Sequence, residues 1–112
     1  MKTTERERDG VKILIFEGPL TIGAGDLTLR DAITEAVDEG ARNLLVDLSR
    51  ASKIDSSGIG ELLAAYTRVT NRGGKLKLLH LSAKLKDLLT ITQLIKVFDI
   101  FEDENEAVAS FR

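Results

Sequence analysis

Hydrophobic positions along the chain follow the two-residue period of strands in some segments and the 3.6-residue period of helices in others. Three short, mostly apolar runs predict strands, at residues 11–17, 43–48 and 75–81. Two segments between them carry apolar residues three and four positions apart, which is typical of amphipathic helices. The stripe of the first helix comprises Leu29, Ala32, Ile33, Ala36 and Val37. The stripe of the second comprises Ile59, Leu62, Leu63, Tyr66 and Val69.

Turn and capping residues mark where these elements begin and end. Asp9-Gly10 predicts a tight turn after a weakly alternating segment at residues 3–8. Gly18-Pro19 predicts the end of the first of the three strands, and a glycine-bearing loop is expected to reach residue 25. Asp26 is then expected to be the N-cap of the first helix.

The last third of the chain predicts shorter elements. Ser82 is expected to cap a short helix whose apolar side comprises Leu85, Leu88 and Leu89. Residues 93–95 predict a loop, and residues 96–101 predict a short last strand or an extended segment. A final helix is predicted over 103–111, and its inward residues are Ala107, Val108 and Phe111.

Strands that alternate with helices predict an α/β fold. We expect a mixed, mostly parallel β-sheet of four to five strands, packed with about four α-helices. Residues 1–112 are expected to form one domain, in which residues 1–9 are an edge strand or a frayed N-terminus. The loops at 18–25 and 49–56 each follow a parallel strand, so both should lie at the same edge of the sheet.

Composition and charge exclude several classes of protein. Of the 112 residues, 43% are hydrophobic and 30% are charged, as in an ordinary globular domain. The chain has no cysteine, so it has no thiolate metal site, and we expect no cofactor. A net charge of −2 argues against a nucleic-acid surface. The apolar runs are too short to span a membrane, and residues 1–8 lack the apolar core of a signal peptide. We therefore expect a cytoplasmic protein.

Candidate chemistry is concentrated where the second amphipathic helix begins. Residues 46–60 predict a buried strand, a polar loop and a helix start that carries Asp55, Ser56 and Ser57. A helix N-terminus has free N–H groups and a positive dipole end, so a serine there is suited to reversible phosphorylation. The free N–H groups of residues 57–60 would receive the phosphoryl group. The pattern alone leaves both serines open as the modified residue.

Neighbouring residues have two interpretations each. Gly58 and Gly60 either permit close approach by a kinase or let the helix start pack on the sheet. Asp55 either caps the helix, which we favour, or orients the Ser56 hydroxyl. In the preceding loop, Ile22 and Gly23 form a candidate partner contact, whereas Leu20 is expected to close the core.

Three other polar residues carry weaker signals. His80, the one histidine, has no metal-ligand companion and is expected to be a solvated or hydrogen-bonded strand residue. Thr90 and Thr92 are expected to cap or terminate the short helix.

The chain resembles the STAS domain of bacterial anti-sigma factor antagonists. The residues that carry the resemblance are the Asp-Ser-Ser-Gly-Ile-Gly run at 55–60, the glycine pair at 73–74 and the Leu-Leu-Thr-Ile-Thr run at 88–92. The resemblance extends from about residue 10 to the C-terminus. It implies a regulatory binding protein and not an enzyme.

What the family does supplies further expectations. Its members bind an anti-sigma factor that is also a serine kinase, and binding frees a sigma factor. The kinase uses ATP to phosphorylate the serine directly after the motif aspartate, which corresponds to Ser56, and a serine phosphatase reverses this step. The residues expected to bind the partner are Asp55, Ser56, Ser57, Gly58, Gly60, Ile22 and Gly23.

The sequence also bears on two rival functions. A serine hydrolase needs Gly-x-Ser-x-Gly at the nucleophile, and the first glycine is absent before Ser56. A scaffold or accessory STAS subunit of a sensory or lipid-transport complex, without a phospho-switch, stays open as the alternative.

Overall fold

A computed structural model describes all residues from 1 to 112. It contains six strands, four α-helices and one short 3₁₀ helix at Leu94–Lys96. The strands are β1 (Lys2–Arg8), β2 (Val11–Leu20), β3 (Asn43–Asp47), β4 (Ala51–Ile54), β5 (Lys75–Leu79) and β6 (Ile100–Phe101). The helices are α1 (Asp26–Asp38), α2 (Ser56–Asn71), α3 (Ala83–Ile91) and α4 (Glu104–Ala109).

The strands form one mixed sheet in the order β1-β2-β3-β5-β6, and β4 pairs with the far end of β2. Only the β1–β2 pair is antiparallel, and every other pair is parallel. The predicted α/β class, with a mostly parallel mixed sheet and four helices, is confirmed. The sheet has six strands where four to five were expected, since β4 lies in a segment that was predicted to be a loop.

The N-terminal segment is a paired edge strand and not a frayed end. Each β1 residue has a partner on β2, from Lys2 opposite Glu17 to Arg8 opposite Val11. Asp9 and Gly10 both have positive φ, 52° and 79°, as a tight two-residue hairpin turn requires.

The strand β2 ends later than the sequence predicted. The strand continues through Gly18-Pro19 to Leu20 and pairs there with β4, with a register shift between Gly18 and Pro19. A proline is tolerated in a strand at such an irregularity, because the ladder is already interrupted. The connecting loop is therefore shorter than predicted and covers residues 21–25.

Two further boundaries differ from prediction. Gly25 and not Asp26 is the N-cap of α1, since Asp26 already lies in the first turn and its Oδ1 accepts bonds from the N–H groups of Gly23 and Leu27. The segment predicted as a loop and a last strand contains the 3₁₀ turn, and only Ile100 and Phe101 pair with β5. A left-handed residue, Gln93 with φ 64°, redirects the chain between α3 and this turn.

Helices cover both faces of the sheet unequally. On one face α1, α2 and α3 enclose the main core of 20 buried residues, which includes most of both predicted helical stripes. Tyr66 is half-buried there and its ring packs edge-on against Phe98, at 5.4 Å between centroids. On the other face α4 covers a smaller cluster. Its members are Val11, Ile13, Leu45, Leu79, Ala107, Val108 and Phe111. No helix in the structure has the length and apolarity needed to cross a membrane.

A buried lysine fastens α4 to the sheet. Lys77 of β5 is only 8% exposed, and its Nζ donates to the carbonyl (3.0 Å) and to the hydroxyl (2.9 Å) of Ser110. The same Nζ lies 4.7 Å from the ring centroid of Phe111 and 3.8 Å from a carboxylate oxygen of Asp99. Hydrogen bonds and ring contacts together compensate the burial of this ammonium group.

Lys77→Ala should lower the free energy of unfolding by about 2 kcal/mol, because it removes the charged hydrogen bonds to Ser110 and the packing of the lysine stem. Urea denaturation measures the change. Lys75→Ala, at the exposed start of the same strand, is the matched control and should change stability by less than about 0.5 kcal/mol. Equal effects of the two substitutions would contradict this role of Lys77.

Candidate functional site

The predicted candidate residues lie where α2 begins. Asp55 is the N-cap of α2, and its Oδ1 accepts a hydrogen bond of 3.0 Å from the N–H of Gly58. Ser56 is the first residue of the helix. The capping role that we favoured for Asp55 is present, because this bond satisfies one of the free N–H groups at the helix start.

The second oxygen of Asp55 reaches the preceding loop. Oδ2 accepts a hydrogen bond of 3.0 Å from the N–H of Ile22, and the N–H of Asp55 donates to the carbonyl of Leu20 at 3.4 Å. The segments that follow β2 and β4 therefore meet at one edge of the sheet. Leu20 is fully buried, whereas the Ile22 side chain is 73% exposed and Gly23 beside it is also exposed.

These hydrogen bonds favour the charged form of the Asp55 carboxylate. The N–H of Ile22 makes the largest contribution and that of Gly58 the next, and together they lower the pKa of Asp55 below its usual value. Hydrogen bonds to a carboxylate favour its ionised form, so the direction of this shift agrees with the geometry.

The two hydroxyls next to Asp55 differ in accessibility. Ser56 is exposed and Ser57 is half-buried. Neither hydroxyl takes part in a hydrogen bond, whereas the hydroxyls of Thr90 and Thr92 donate to backbone carbonyls of α3. Of the two serines that the residue pattern left open, Ser56 therefore presents the more accessible group.

Fewer backbone donors are free at this helix start than the sequence suggested. The N–H of Gly58 is bonded to the Asp55 side chain, and the N–H of Ile59 donates to the Asp55 carbonyl at 3.1 Å. The expectation that all N–H groups of residues 57–60 could receive a phosphoryl group is therefore wrong. The N-cap aspartate already occupies part of the anion-binding capacity of the helix.

The two glycines of the motif lie in different surroundings. A Cβ on Gly58 would lie 2.1 Å from the carbonyl oxygen of Leu20, so this residue is a glycine because α2 starts directly on the end of β2. A Cβ on Gly60 would have no atom within 4 Å, and Gly60 is exposed. Packing thus explains Gly58 and leaves Gly60 without a packing reason.

A shallow groove that the sequence did not predict runs along the outer side of α2. It has a volume of about 530 Å³. The residues that line it are Gly60, Leu63, Ala64, Thr67, Arg68 and Asn71. An ion pair between Arg30 of α1 and Glu61 of α2, 2.5 Å long, ties the two helices together nearby. The small residues Gly60 and Ala64, four positions apart, were the signal in the sequence that could have indicated this groove.

His80 lines a cavity that contains none of the candidate site residues. It follows β5 with φ 59°, and this polar cavity of about 700 Å³ is also lined by Arg6, Asp47, Arg50 and Glu102. The structure contains no group of three or more His, Asp or Glu residues placed to hold a metal ion.

Substituting each glycine by alanine should separate the two roles. Gly58→Ala should lower the free energy of unfolding by about 2 kcal/mol or more, because the new methyl group overlaps the Leu20 carbonyl. Gly60→Ala should raise it by about 0.5–1 kcal/mol, because alanine is the better helix former and meets no atom. Chemical denaturation of both variants measures these changes, and a destabilised Gly60→Ala would contradict the assignment.

Comparisons with known proteins identify the family. A family model described as the STAS domain matches residues 3–107. The anti-sigma-B factor antagonist of Bacillus subtilis is 36% identical over 72 residues, which are 64% of this chain and 65% of that protein. The anti-sigma F factor antagonist of Paenibacillus polymyxa is 26% identical over 100 residues, 88% of this chain and 85% of that protein.

The fold is shared with a solved structure of a Bacillus protein. The cell fate determinant SpoIIAA in its phosphorylated form superposes with a TM-score of 0.75 at 21% identity, over 99% of this chain and 100% of that one. The relatives are named as antagonists of another protein, which is the role of a regulatory binding protein and not of an enzyme. The resemblance to STAS-domain anti-sigma factor antagonists is confirmed, and the chain belongs to the STAS domain family.

Proposed function

We propose that this protein is an anti-sigma factor antagonist controlled by phosphorylation of Ser56. Unmodified, it binds a cognate anti-sigma factor that is also a serine kinase, and it thereby releases a sigma factor in a bacterial cytoplasm. Phosphorylation by that kinase ends binding, and a serine phosphatase restores it. The observation that carries this proposal is the exposed, unbonded hydroxyl of Ser56 at the first residue of α2, beside the exposed side chain of Ile22.

The relatives support this function. Two of them are named for antagonising anti-sigma factors, and the Bacillus protein with the same fold has a phosphorylated form. The accessible serine is also the one that directly follows the motif aspartate. Transfer of the phosphoryl group requires a kinase to supply nucleotide and metal, so this chain need only present a hydroxyl.

The proposed partner surface extends over two adjoining segments. Its residues are Asp55, Ser56, Ser57, Gly58, Gly60, Ile22 and Gly23. Ile22 offers exposed apolar area, and Gly60 leaves room for a partner to approach the backbone of α2 closely. Gly58 is buried, so it supports this surface by letting α2 pack on β2. No nucleic-acid contact is proposed, in keeping with the net charge of −2.

Charge explains how the modification would end binding. A phosphoryl group adds about −1.5 to −2 charges at neutral pH. Asp55 already contributes a carboxylate at the same place, and two of the nearby N–H groups are engaged. A partner that covers Ser56 would have to bury the dianion with few donors to compensate it, which costs several kcal/mol.

Incubation with ATP and lysate from the source organism should phosphorylate Ser56. Phosphopeptide mass spectrometry of the purified protein identifies the modified residue. The signal should vanish in Ser56→Ala and persist in Ser57→Ala, since the two variants remove neighbouring hydroxyls of different exposure. Fractionation of the lysate would then yield the kinase. An unmodified Ser56, under conditions that phosphorylate other proteins, would contradict the switch and favour a scaffold or accessory STAS subunit.

Phosphorylation should change affinity for the kinase much more than it changes stability. Ser56 is exposed and its hydroxyl makes no hydrogen bond, so the thermal midpoint of protein carrying phosphoserine at position 56 should lie within about 4 °C of that of the unmodified protein. Calorimetry of both forms measures the midpoints, and binding to the purified kinase measures the affinity. A phosphorylated form that unfolds at much lower temperature would show that the modification acts through the fold.

A further inference from the structure

Ile22 is an exposed apolar residue in a loop whose internal hydrogen bonds do not include it. Within the loop, the N–H groups of Ala24, Gly25 and Asp26 all donate to the carbonyl of Thr21, and Gly23 donates to the side chain of Asp26. None of these bonds involves Ile22. The N–H of Ile22 has one acceptor in the structure, Oδ2 of Asp55 at 3.0 Å.

The two oxygens of Asp55 serve different segments of the chain. Oδ1 caps α2 through the N–H of Gly58, and Oδ2 holds the loop through the N–H of Ile22. Capping requires only one oxygen, because serine and asparagine are N-caps of similar quality to aspartate. The second hydrogen bond is therefore a contribution of the carboxylate that capping does not explain. The lowered pKa of Asp55, to which the N–H of Ile22 contributes most, agrees with this geometry.

We propose that Asp55 is a positioning residue of the partner surface: its second oxygen fixes the backbone of Ile22, and so presents the Ile22 side chain beside Ser56. This inference rests on the proposed function. An apolar contact contributes most when its position is fixed before binding, because the partner then need not order it. As a member of this surface, Asp55 contributes through the position that it gives to Ile22.

Asp55→Ser separates capping from positioning. The serine hydroxyl can still accept from the N–H of Gly58, so the cap of α2 is kept, whereas the N–H of Ile22 loses its acceptor. Solvent exchange of the Ile22 amide, measured by NMR on the isolated protein, should accelerate about tenfold. Asp103→Ser is the matched control, since Asp103 caps α4 through the N–H of Glu106 far from the loop, and it should leave the Ile22 amide unchanged.

Binding to the purified anti-sigma kinase tests whether the positioning matters. Asp55→Ser should weaken binding about tenfold in the natural background, and less than about twofold in the Ile22→Ala background, because the two changes remove the same contact. Asp103→Ser should bind normally. If Asp55→Ser weakened binding equally in the natural and in the Ile22→Ala background, the proposal would be overturned, since Asp55 would then act independently of Ile22.

The amide measurement requires no partner, so failures of the two proposals are distinguishable. An Ile22 amide that exchanges at the same rate in Asp55→Ser and in the natural protein would overturn the positioning role, whatever the partner is. If exchange accelerated but Ser56 stayed unphosphorylated and no kinase bound, the proposed function would be overturned. The hydrogen bond by which Asp55 positions Ile22 would still be supported.

Discussion

The start of α2 can lie directly on the end of β2 only because residue 58 has no side chain. A Cβ there would stand 2.1 Å from the Leu20 carbonyl oxygen, so this approach fixes where the helix begins. Because of this contact Leu20 is buried, and Ile22, two residues further along the chain, meets Asp55. The position of Ser56 thus depends on backbone packing and not on its own side chain.

Hydrophobic periodicity predicted the long helices and strands correctly, because the spacing of their apolar residues identifies the face that is buried. The stripes of α1 and α2 pack in the cores, as their patterns required. So do the strands predicted at 43–48 and 75–81, although they end earlier, at Asp47 and Leu79. The predictions that failed concern segments whose structure depends on strand pairing. The four residues of β4 carry too few apolar side chains to indicate a strand, and they are ordered because the irregularity at Gly18-Pro19 lets β2 extend and pair with them.

The site was predictable in its residue types and not in its hydrogen bonds. An Asp-Ser-Ser-Gly run before a helical stripe indicates a capped helix start with hydroxyls, which is present at 55–58. The second bond of Asp55 joins residues 33 positions apart, and no local pattern reports such a contact. The roles of Gly58 and Gly60 were also inseparable in the sequence, because the difference lies in what stands opposite each backbone.

At this helix start, the residue that stabilises the fold, Asp55, is not the residue that we propose to be modified, Ser56. The Ser56 hydroxyl makes no hydrogen bond, so the proposed phosphoryl group would replace none, and its effect would fall on whatever approaches the helix start. Asp55 has the opposite character, because both of its oxygens are engaged and its charge is retained. In the proposed switch, a phosphoryl group on Ser56 would therefore meet a fixed negative charge and a reduced set of N–H donors. The capping that stabilises α2 would then make the modified surface harder for the proposed partner to bury.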